Sequence, residues 1–256
     1  MPRKPREKSR TGIYHVMLRG INQQTIFEDP EDKRQFLTTL THYKNHFHFK
    51  LYGYCIMDNH VHLLFEEGME PFSLTLKRIS SSYVYWYNRK YARVGHLFQA
   101  RFLSECVHDH EYFLTVIRYI HQNPLKAGLV QNVWKSEWTS LQAYLGHSAP
   151  VDIGKGLTLY SSDYSTALIR YISHMEEQND DHCLEMVQDK RISDHEVREC
   201  MVKLGVPHST MLQQMGREER NRILAQLKKL DGVTYRQLSR VTGISKSVIG
   251  RVRLGT

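Results

Sequence analysis

The stretch "FKLYGYCIMDNHVHLLFE" at residues 49–66 predicts a β-hairpin, and the rest of the fold can be built around it. Its two halves are rich in β-branched and aromatic residues, and the Asp-Asn pair between them is typical of a turn. We predict strands at 12–20, 49–58, 60–66 and 98–107, and helices at 29–47, 72–92 and 109–123. The order β-α-β-β-α-β with one extra helix indicates a ferredoxin-like α+β fold, in which helices cover one face of an antiparallel sheet.

Composition and charge narrow the class of protein. The chain has 256 residues, of which 41% are hydrophobic and 24% charged, and no apolar run approaches the ~20 residues that a membrane helix needs. Its four cysteines are widely separated, which favours a reducing cytoplasm over a disulfide framework. The net charge of +8 favours polyanionic partners. We therefore expect a cytoplasmic protein that binds nucleic acid and no membrane.

A change of composition after residue 147 predicts two domains. We expect a first domain at 1–147, a linker rich in Gly, Ser and Pro at 148–163, and an all-α domain at 164–256. Within the latter, "TYRQLSRVTGISKSVIGRV" has helix-turn-helix form at about 234–253, with Gly243 in the turn and Ser245 as the cap of the second helix. The alternative is a generic helical bundle with solvated charges. The residues predicted to contact duplex DNA are Arg236, Arg240, Lys246, Ser247 and Arg251.

Two histidines on the second strand of the hairpin form a candidate metal site. His60 and His62 share one face because side chains alternate along a strand, and the opposite face is fully apolar. We expect the apolar face to pack under the helices and the imidazoles to lie on the open face, where two of them can chelate one divalent cation. The alternative is that they only decorate a strand, since His46 and His48 form a second H-x-H triplet.

A second group of residues supports the metal interpretation. In "RYIHQNPLKAGLV" (118–130), Tyr119 and Asn123 are four residues apart and so share a helix face. A tyrosine hydroxyl, with a free pKa near ~10, is a poor nucleophile unless a neighbouring ion polarises its target. The alternative is that Tyr119 belongs to an aromatic core stripe. Pro124 disfavours helix for the residue before it, so we predict that the helix ends at Asn123, and whether the Asn123 carbonyl completes the metal shell stays open.

Five motifs, in this order, resemble those of a known family: "GIYHVMLRG", "CIMDNHVHLLFE", "GHLFQARF", "RYIHQNPLKAGLV" and "WTSLQAYLG". Over residues 10–146 the chain resembles the single-tyrosine HUH transposases, and looks most like their REP-associated tyrosine transposase branch. The resemblance implies a ferredoxin-like fold and a Mg²⁺ or Mn²⁺ site. It assigns His60, His62 and Asn123 as metal ligands and Tyr119 as the nucleophile.

The same resemblance implies a reaction. Tyr119 would attack a phosphate of single-stranded DNA at hairpin or palindromic elements, and would form a 5′-phosphotyrosine that later allows strand transfer. Arg19, Gln99 and Arg101 lie in family-like motifs and are predicted to contact phosphates. We expect a monomer or a homodimer, with the helix-turn-helix binding duplex DNA. The alternative function is that of a non-catalytic DNA-binding regulator derived from a transposase.

Overall fold

The computed structural model describes residues 6–99, 101–184, 192 and 194–252. The chain divides into two compact units, Met1–Leu184 and Glu185–Thr256, which we call unit 1 and unit 2. None of the helices in the described part of the chain is long and apolar enough to cross a membrane.

Unit 1 is built around a four-stranded antiparallel sheet. Its strands are β1 (Ile13–Arg19), β2 (Lys50–Ile56), β3 (His60–Glu66) and β4 (Leu103–Cys106). The strand order is β2-β3-β1-β4, which confirms the ferredoxin-like arrangement and the predicted hairpin. Strand β1 runs antiparallel to β3 with Arg19 opposite His60 and Met17 opposite His62. The register therefore places the end of β1 beside both histidines.

Two long helices cover one face of the sheet, as predicted. They are α1 (Pro30–Phe47) and α2 (Phe72–Lys90), and they bury apolar side chains against the Val16 and Leu63 face. Helix α1 begins with a capping box, in which the Asp29 side chain accepts a hydrogen bond from the Asp32 amide.

The opposite face of the sheet is not open, which corrects our expectation. Helix α3 (His110–Lys126) packs across it, and His62 is only 1% exposed. Alternation along a strand tells which side chains share a face but not what covers that face. Gly53 on β2 allows α3 to approach closely, because a Cβ there would lie 2.6 Å from Ile117 Cδ1.

Helix α3 also differs from its predicted end. It begins at the predicted cap, where Asp109 accepts a hydrogen bond of 2.7 Å from the Tyr112 amide. It then continues through Pro124 to Lys126, so Asn123 is helical. Pro124 lies in the last turn, where its missing N–H removes one hydrogen bond close to a helix end.

The segment after residue 147 belongs to unit 1, where the sequence predicts a linker and the first helix of a second domain. It contains α4 (Ile153–Thr158) and α5 (Tyr164–Glu176). The physical reason is apolar burial, since Tyr171 and Met175 of α5 are fully buried in the same cluster as the side chains of α3.

The described residues of unit 2 are all-α, as predicted. Its helices in the described residues are α6 (Asp194–Lys203), α7 (Ser209–Gln214), α8 (Arg217–Lys228), α9 (Tyr235–Thr242) and α10 (Lys246–Arg251). Leu238, Ile244 and Ile249 are buried in its core. Gly243 joins α9 to α10 with φ of +71°, a backbone conformation that favours glycine. Ser245 occupies the predicted cap position, but its hydroxyl pairs with Ser247 and makes no cap hydrogen bond. Residue 253, the end of the predicted helix-turn-helix, lies outside the described residues.

Candidate active site

The structure brings the predicted histidines and tyrosine together. His60 and His62 lie on the face of β3 that α3 covers, with their ring centroids 5.0 Å apart. The ring of Tyr119 on α3 lies 5.5 Å from the ring of His62 and packs edge-on against it. Tyr119 is 4% exposed, so it is also part of the packing between α3 and the sheet. The nucleophile and core interpretations of Tyr119 are therefore compatible.

Asn123 lies one helical turn beyond Tyr119 and faces the same site. Its side chain lies beside the His60 imidazole, where it raises the pKa of that ring against the larger opposing effect of burial. This placement is a consequence of the helix continuing through Pro124, because a helical Asn123 projects from the same face of α3 as Tyr119.

Each imidazole of the pair has its Nδ1 atom engaged by a neighbour. His60 Nδ1 lies 2.6 Å from Asn59 Oδ1, and His62 Nδ1 lies 3.0 Å from His15 Nε2. An amide oxygen only accepts, so His60 donates from Nδ1 and its Nε2 carries a lone pair. Metal-binding histidines are commonly oriented by such a hydrogen bond at the ring nitrogen that does not bind the metal.

Burial keeps these rings neutral, which is the form that binds a metal. Burial, reinforced by the charge of Arg19, lowers the pKa of His60 to about 4. Burial and the neighbouring His15 hold the pKa of His62 well below its ordinary value. Two imidazole nitrogens and the amide oxygen of Asn123 form a mixed N/O donor set that suits a divalent cation. The residues present therefore fit a divalent cation.

Arg19 supplies positive charge at the edge of this site. It is opposite His60 in the sheet, and its buried Nε atom has no hydrogen-bond partner in the part of the chain that the structure describes. A buried guanidinium nitrogen without a partner is a donor whose hydrogen-bonding capacity is unused. Of the other predicted phosphate-binding residues, Gln99 is half-buried and its backbone amide donates to the Arg19 carbonyl at 2.7 Å. Arg101 is exposed, and its charge adds to the effect of burial in lowering the pKa of Arg6.

Helix α3 is tied to the end of α5 and to the segment that follows it. Arg118 donates to Asp181 at 2.7 Å and also pairs with Glu177. Gln122 donates to the Met175 carbonyl at 2.9 Å, and Lys126 donates to the side-chain oxygen of Asn179 at 2.9 Å. These three donors are spaced one helical turn apart along α3, so they hold the helix that carries Tyr119 and Asn123 in place over the sheet.

His121 is a structural residue. Its ring is fully buried between the Ser140 hydroxyl at 2.8 Å and the Tyr171 hydroxyl at 2.9 Å. The side chain therefore joins α3 to α5 and is occupied by this packing role.

Sequence reasoning missed the two residues that hold the imidazoles, His15 and Asn59. His15 is on β1, 47 positions before His62, and it shares its face with Arg19 by strand alternation. That alternation is a usable signal once β1 and β3 are known to be neighbours. The sequence assigns Asn59 only to the turn of the hairpin.

A second group of potential ligands lies at the opposite end of β1. The ligand atoms of Glu7, Cys106 and His108 lie within 4.8 Å of one another, and Cys106 is opposite Tyr14 in the sheet. Glu7 and His108 are exposed. This group shares no residue with the predicted site.

In unit 2 the residues predicted to bind DNA lie at the surface, but one of them is already engaged. Arg240 forms two hydrogen bonds with the Asp194 carboxylate, at 2.9 and 2.6 Å. Arg236 and Lys246 line the same cleft as this ion pair. Arg251 and Ser247 are exposed on α10, where Arg251 donates to the Ser247 carbonyl.

Residues 8–123 match the family model described as "Transposase IS200 like". The chain is also similar to a solved structure described as "Structure of the REP associates tyrosine transposase bound to a REP hairpin". That similarity has 16% identity and a TM-score of 0.49, and covers 60% of this chain and 96% of the other. No curated protein matches the chain.

Proposed function

We propose that this protein nicks single-stranded DNA at hairpin or palindromic elements and transfers the cut strand through a 5′-phosphotyrosine. Tyr119 is the nucleophile, and His60, His62 and Asn123 hold Mg²⁺ or Mn²⁺. The observation that supports this best is the pair of imidazoles beside Tyr119, each with its Nδ1 engaged by a protein neighbour. This arrangement suits metal-assisted attack on a phosphodiester better than it suits simple packing.

The chain's own residues account for the steps of the reaction. A bound divalent ion supplies Lewis-acid polarisation of the scissile phosphate. The Tyr119 oxygen attacks phosphorus and loses its proton to solvent, the bond from phosphorus to the 3′ oxygen breaks, and that oxygen leaves as a 3′-OH after taking up a proton. Arg19 pairs with a non-bridging oxygen of the phosphate. The product ester has nearly the energy of the original one, so a second 3′-OH reverses the step and rejoins strands without ATP.

The nucleophile is tested by substituting Tyr119. We expect Tyr119→Phe to abolish the covalent protein–DNA adduct on denaturing gels and to leave binding of a hairpin oligonucleotide unchanged, because only the hydroxyl is removed. Tyr112→Phe, on the same helix, is the matched control and should retain the adduct. An adduct that persists in Tyr119→Phe would assign the nucleophile elsewhere.

The metal site is tested by comparing the two H-x-H triplets. We expect His60→Ala and His62→Ala to lose cleavage in Mg²⁺ or Mn²⁺, whereas His46→Ala should keep it. His46 lies in the last turn of α1, and His48 follows that helix with φ of +51°. The reverse pattern would move the metal site to the second triplet.

Unit 2 has a separate role in this proposal. Its α9 and α10 act as a helix-turn-helix that binds duplex DNA, such as a hairpin stem, through the exposed side chains of Arg236, Lys246 and Arg251. The alternative of a non-catalytic regulator makes a distinct prediction, namely a gel shift with hairpin DNA and no cleavage in Mg²⁺ or Mn²⁺. Cleavage that depends on Tyr119 would exclude it.

A further inference from the structure

His15 is a fully buried histidine that the proposed reaction does not use. It lies on β1 and faces α3, with its ring 5.7 Å from the ring of Tyr119 and 5.1 Å from the ring of His62. Its Nε2 atom lies 3.0 Å from His62 Nδ1, which is a normal hydrogen-bond distance. The two rings therefore share one hydrogen between these nitrogens.

The position of that hydrogen decides whether His62 can bind a metal. A neutral imidazole carries one N–H, so a hydrogen on His62 Nδ1 leaves Nε2 with a lone pair. If His15 Nε2 were the donor instead, the only hydrogen of His62 would sit on Nε2 and block it as a ligand. Metal binding at His62 Nε2 thus requires His15 Nε2 to be the acceptor.

We infer that His15 is a positioning residue, which accepts the Nδ1 hydrogen of His62 and holds His62 Nε2 in the unprotonated form that binds the metal. This inference rests on the proposed function, because it assigns His15 a role toward the same divalent cation. It extends the pattern seen at His60, where Asn59 accepts the Nδ1 hydrogen in the same way.

The other ring nitrogen of His15 supports a role beyond packing. His15 Nδ1, which carries the ring hydrogen when Nε2 is the acceptor, is buried and has no hydrogen-bond partner among the described residues. An apolar side chain such as leucine would fill this position without leaving a buried polar atom unsatisfied. Among the described residues, the side-chain hydrogen bond of His15 is to a candidate metal ligand, and that bond explains the histidine better than the space it fills.

Measuring metal affinity distinguishes the effect of the His15–His62 hydrogen bond from the effect of side-chain packing. We expect His15→Leu to weaken Mn²⁺ binding by roughly 10 to 100-fold, the usual effect of losing a partner of a metal ligand. His15→Gln offers a carbonyl oxygen near the position of Nε2 and should restore binding to within a few-fold of the wild-type value. Met17→Leu is the matched control, because Met17 is opposite His62 in the sheet and changes packing only. Isothermal titration of the full-length protein with MnCl₂ measures all three.

The outcomes of this titration are decisive. Unchanged affinity in His15→Leu, or equal losses in His15→Leu and His15→Gln when both keep the wild-type thermal midpoint, would overturn the inference. If neither variant folds, the wild-type protein still tests it. With ¹⁵N-labelled histidine and saturating Mg²⁺, NMR should show His15 Nε2 unprotonated and coupled through the hydrogen bond to His62 Nδ1. A protonated His15 Nε2 refutes the assignment.

Failure of the inference differs from failure of the proposed function. If the wild-type protein binds no Mn²⁺ in the titration, the metal site itself is wrong. If the wild type binds Mn²⁺ and His62→Ala does not, but His15→Leu binds normally, then the site stands and only the role of His15 is wrong.

Discussion

Gly53 controls how closely α3 approaches the sheet, and therefore where Tyr119 and Asn123 lie relative to the histidines. A Cβ at this position would meet Ile117 Cδ1 at 2.6 Å, whereas ordinary van der Waals contact begins near 3.4 Å. The Gly53→Ala substitution must therefore open this gap by about 0.8 Å, either by moving the Ile117 side chain or by lifting α3. Ile117 is fully buried, so its side chain has little room to turn aside.

The cost of this substitution follows from two opposed effects. Overpacking a core costs about 1–3 kcal/mol, and replacing glycine on a strand returns about 0.4–1 kcal/mol by restricting the unfolded chain. We expect Gly53→Ala to lower the free energy of unfolding by ~0.5–2 kcal/mol. The nicking rate should fall by up to ~100-fold, since a displacement near 1 Å of catalytic groups has effects of that size.

A second substitution isolates the cause. Ile117→Val removes the Cδ1 atom that the new Cβ would meet, and alone should cost about 0.5–1.5 kcal/mol. In the double variant the smaller valine side chain at position 117 makes room for the alanine Cβ at position 53. We therefore expect the free energies of unfolding to show a favourable coupling of about 1 kcal/mol, and most of the nicking rate to return. Urea unfolding and single-turnover cleavage of a hairpin oligonucleotide measure both quantities. If Gly53→Ala cleaves at the wild-type rate, or if Ile117→Val fails to rescue it, the close approach of α3 does not set the geometry of the site.

Three further predictions concern the start of α3 and the surface of unit 2. Asp109→Ala removes the cap of α3 and should lower the free energy of unfolding by about 1 kcal/mol, measured by urea denaturation; no change would mean that the cap is replaced. Substituting Lys246 and Arg251 with Ala together should weaken duplex binding for every sequence tested. The slope of log affinity against log salt should also fall by about 1 for each DNA phosphate that the variant no longer neutralises, whereas an unchanged slope would place the duplex elsewhere. Arg240 holds the pKa of Asp194 below its ordinary value of 3.8, so the stabilisation from this pair is present above that value and is lost as the pH falls through the lowered pKa. Asp194→Asn should therefore lower the thermal midpoint at pH 7, and its difference from the wild type should shrink in acid; a constant difference would contradict the ion pair as its cause.

The sheet and the residue pairs within single elements were accessible from the sequence. Alternation along β3 put His60 and His62 on one face, and helical spacing put Tyr119 and Asn123 on another, and both statements hold in the structure. Such patterns depend only on the geometry of one element, which the local sequence encodes. Strand β3 has the predicted bounds, whereas β2 starts one residue later and ends two residues earlier than the predicted 49–58.

Packing between elements was less accessible. Helix α3 covers the histidine face and α5 joins unit 1. Both arrangements depend on contacts between apolar surfaces that are tens of residues apart in the sequence. The predicted end of α3 was wrong for a different reason. The preference against helix before proline is a local tendency of modest size, and the burial of Pro124 and Ile120 beneath the last turns outweighs it.

The two H-x-H triplets show what a short motif lacks. His46 and His48 have the same spacing as His60 and His62, but His46 lies at the end of a helix and His48 has a left-handed backbone, so their side chains do not share a strand face. On β3 the same three letters lie between β1 and β2, and each ring meets a partner that fixes it: Asn59 for one and His15 for the other. A metal site needs lone pairs on defined nitrogens, and those are set by the neighbours of the histidines. The chemistry of the motif therefore depends partly on His15 of β1, a residue that lies outside the triplet.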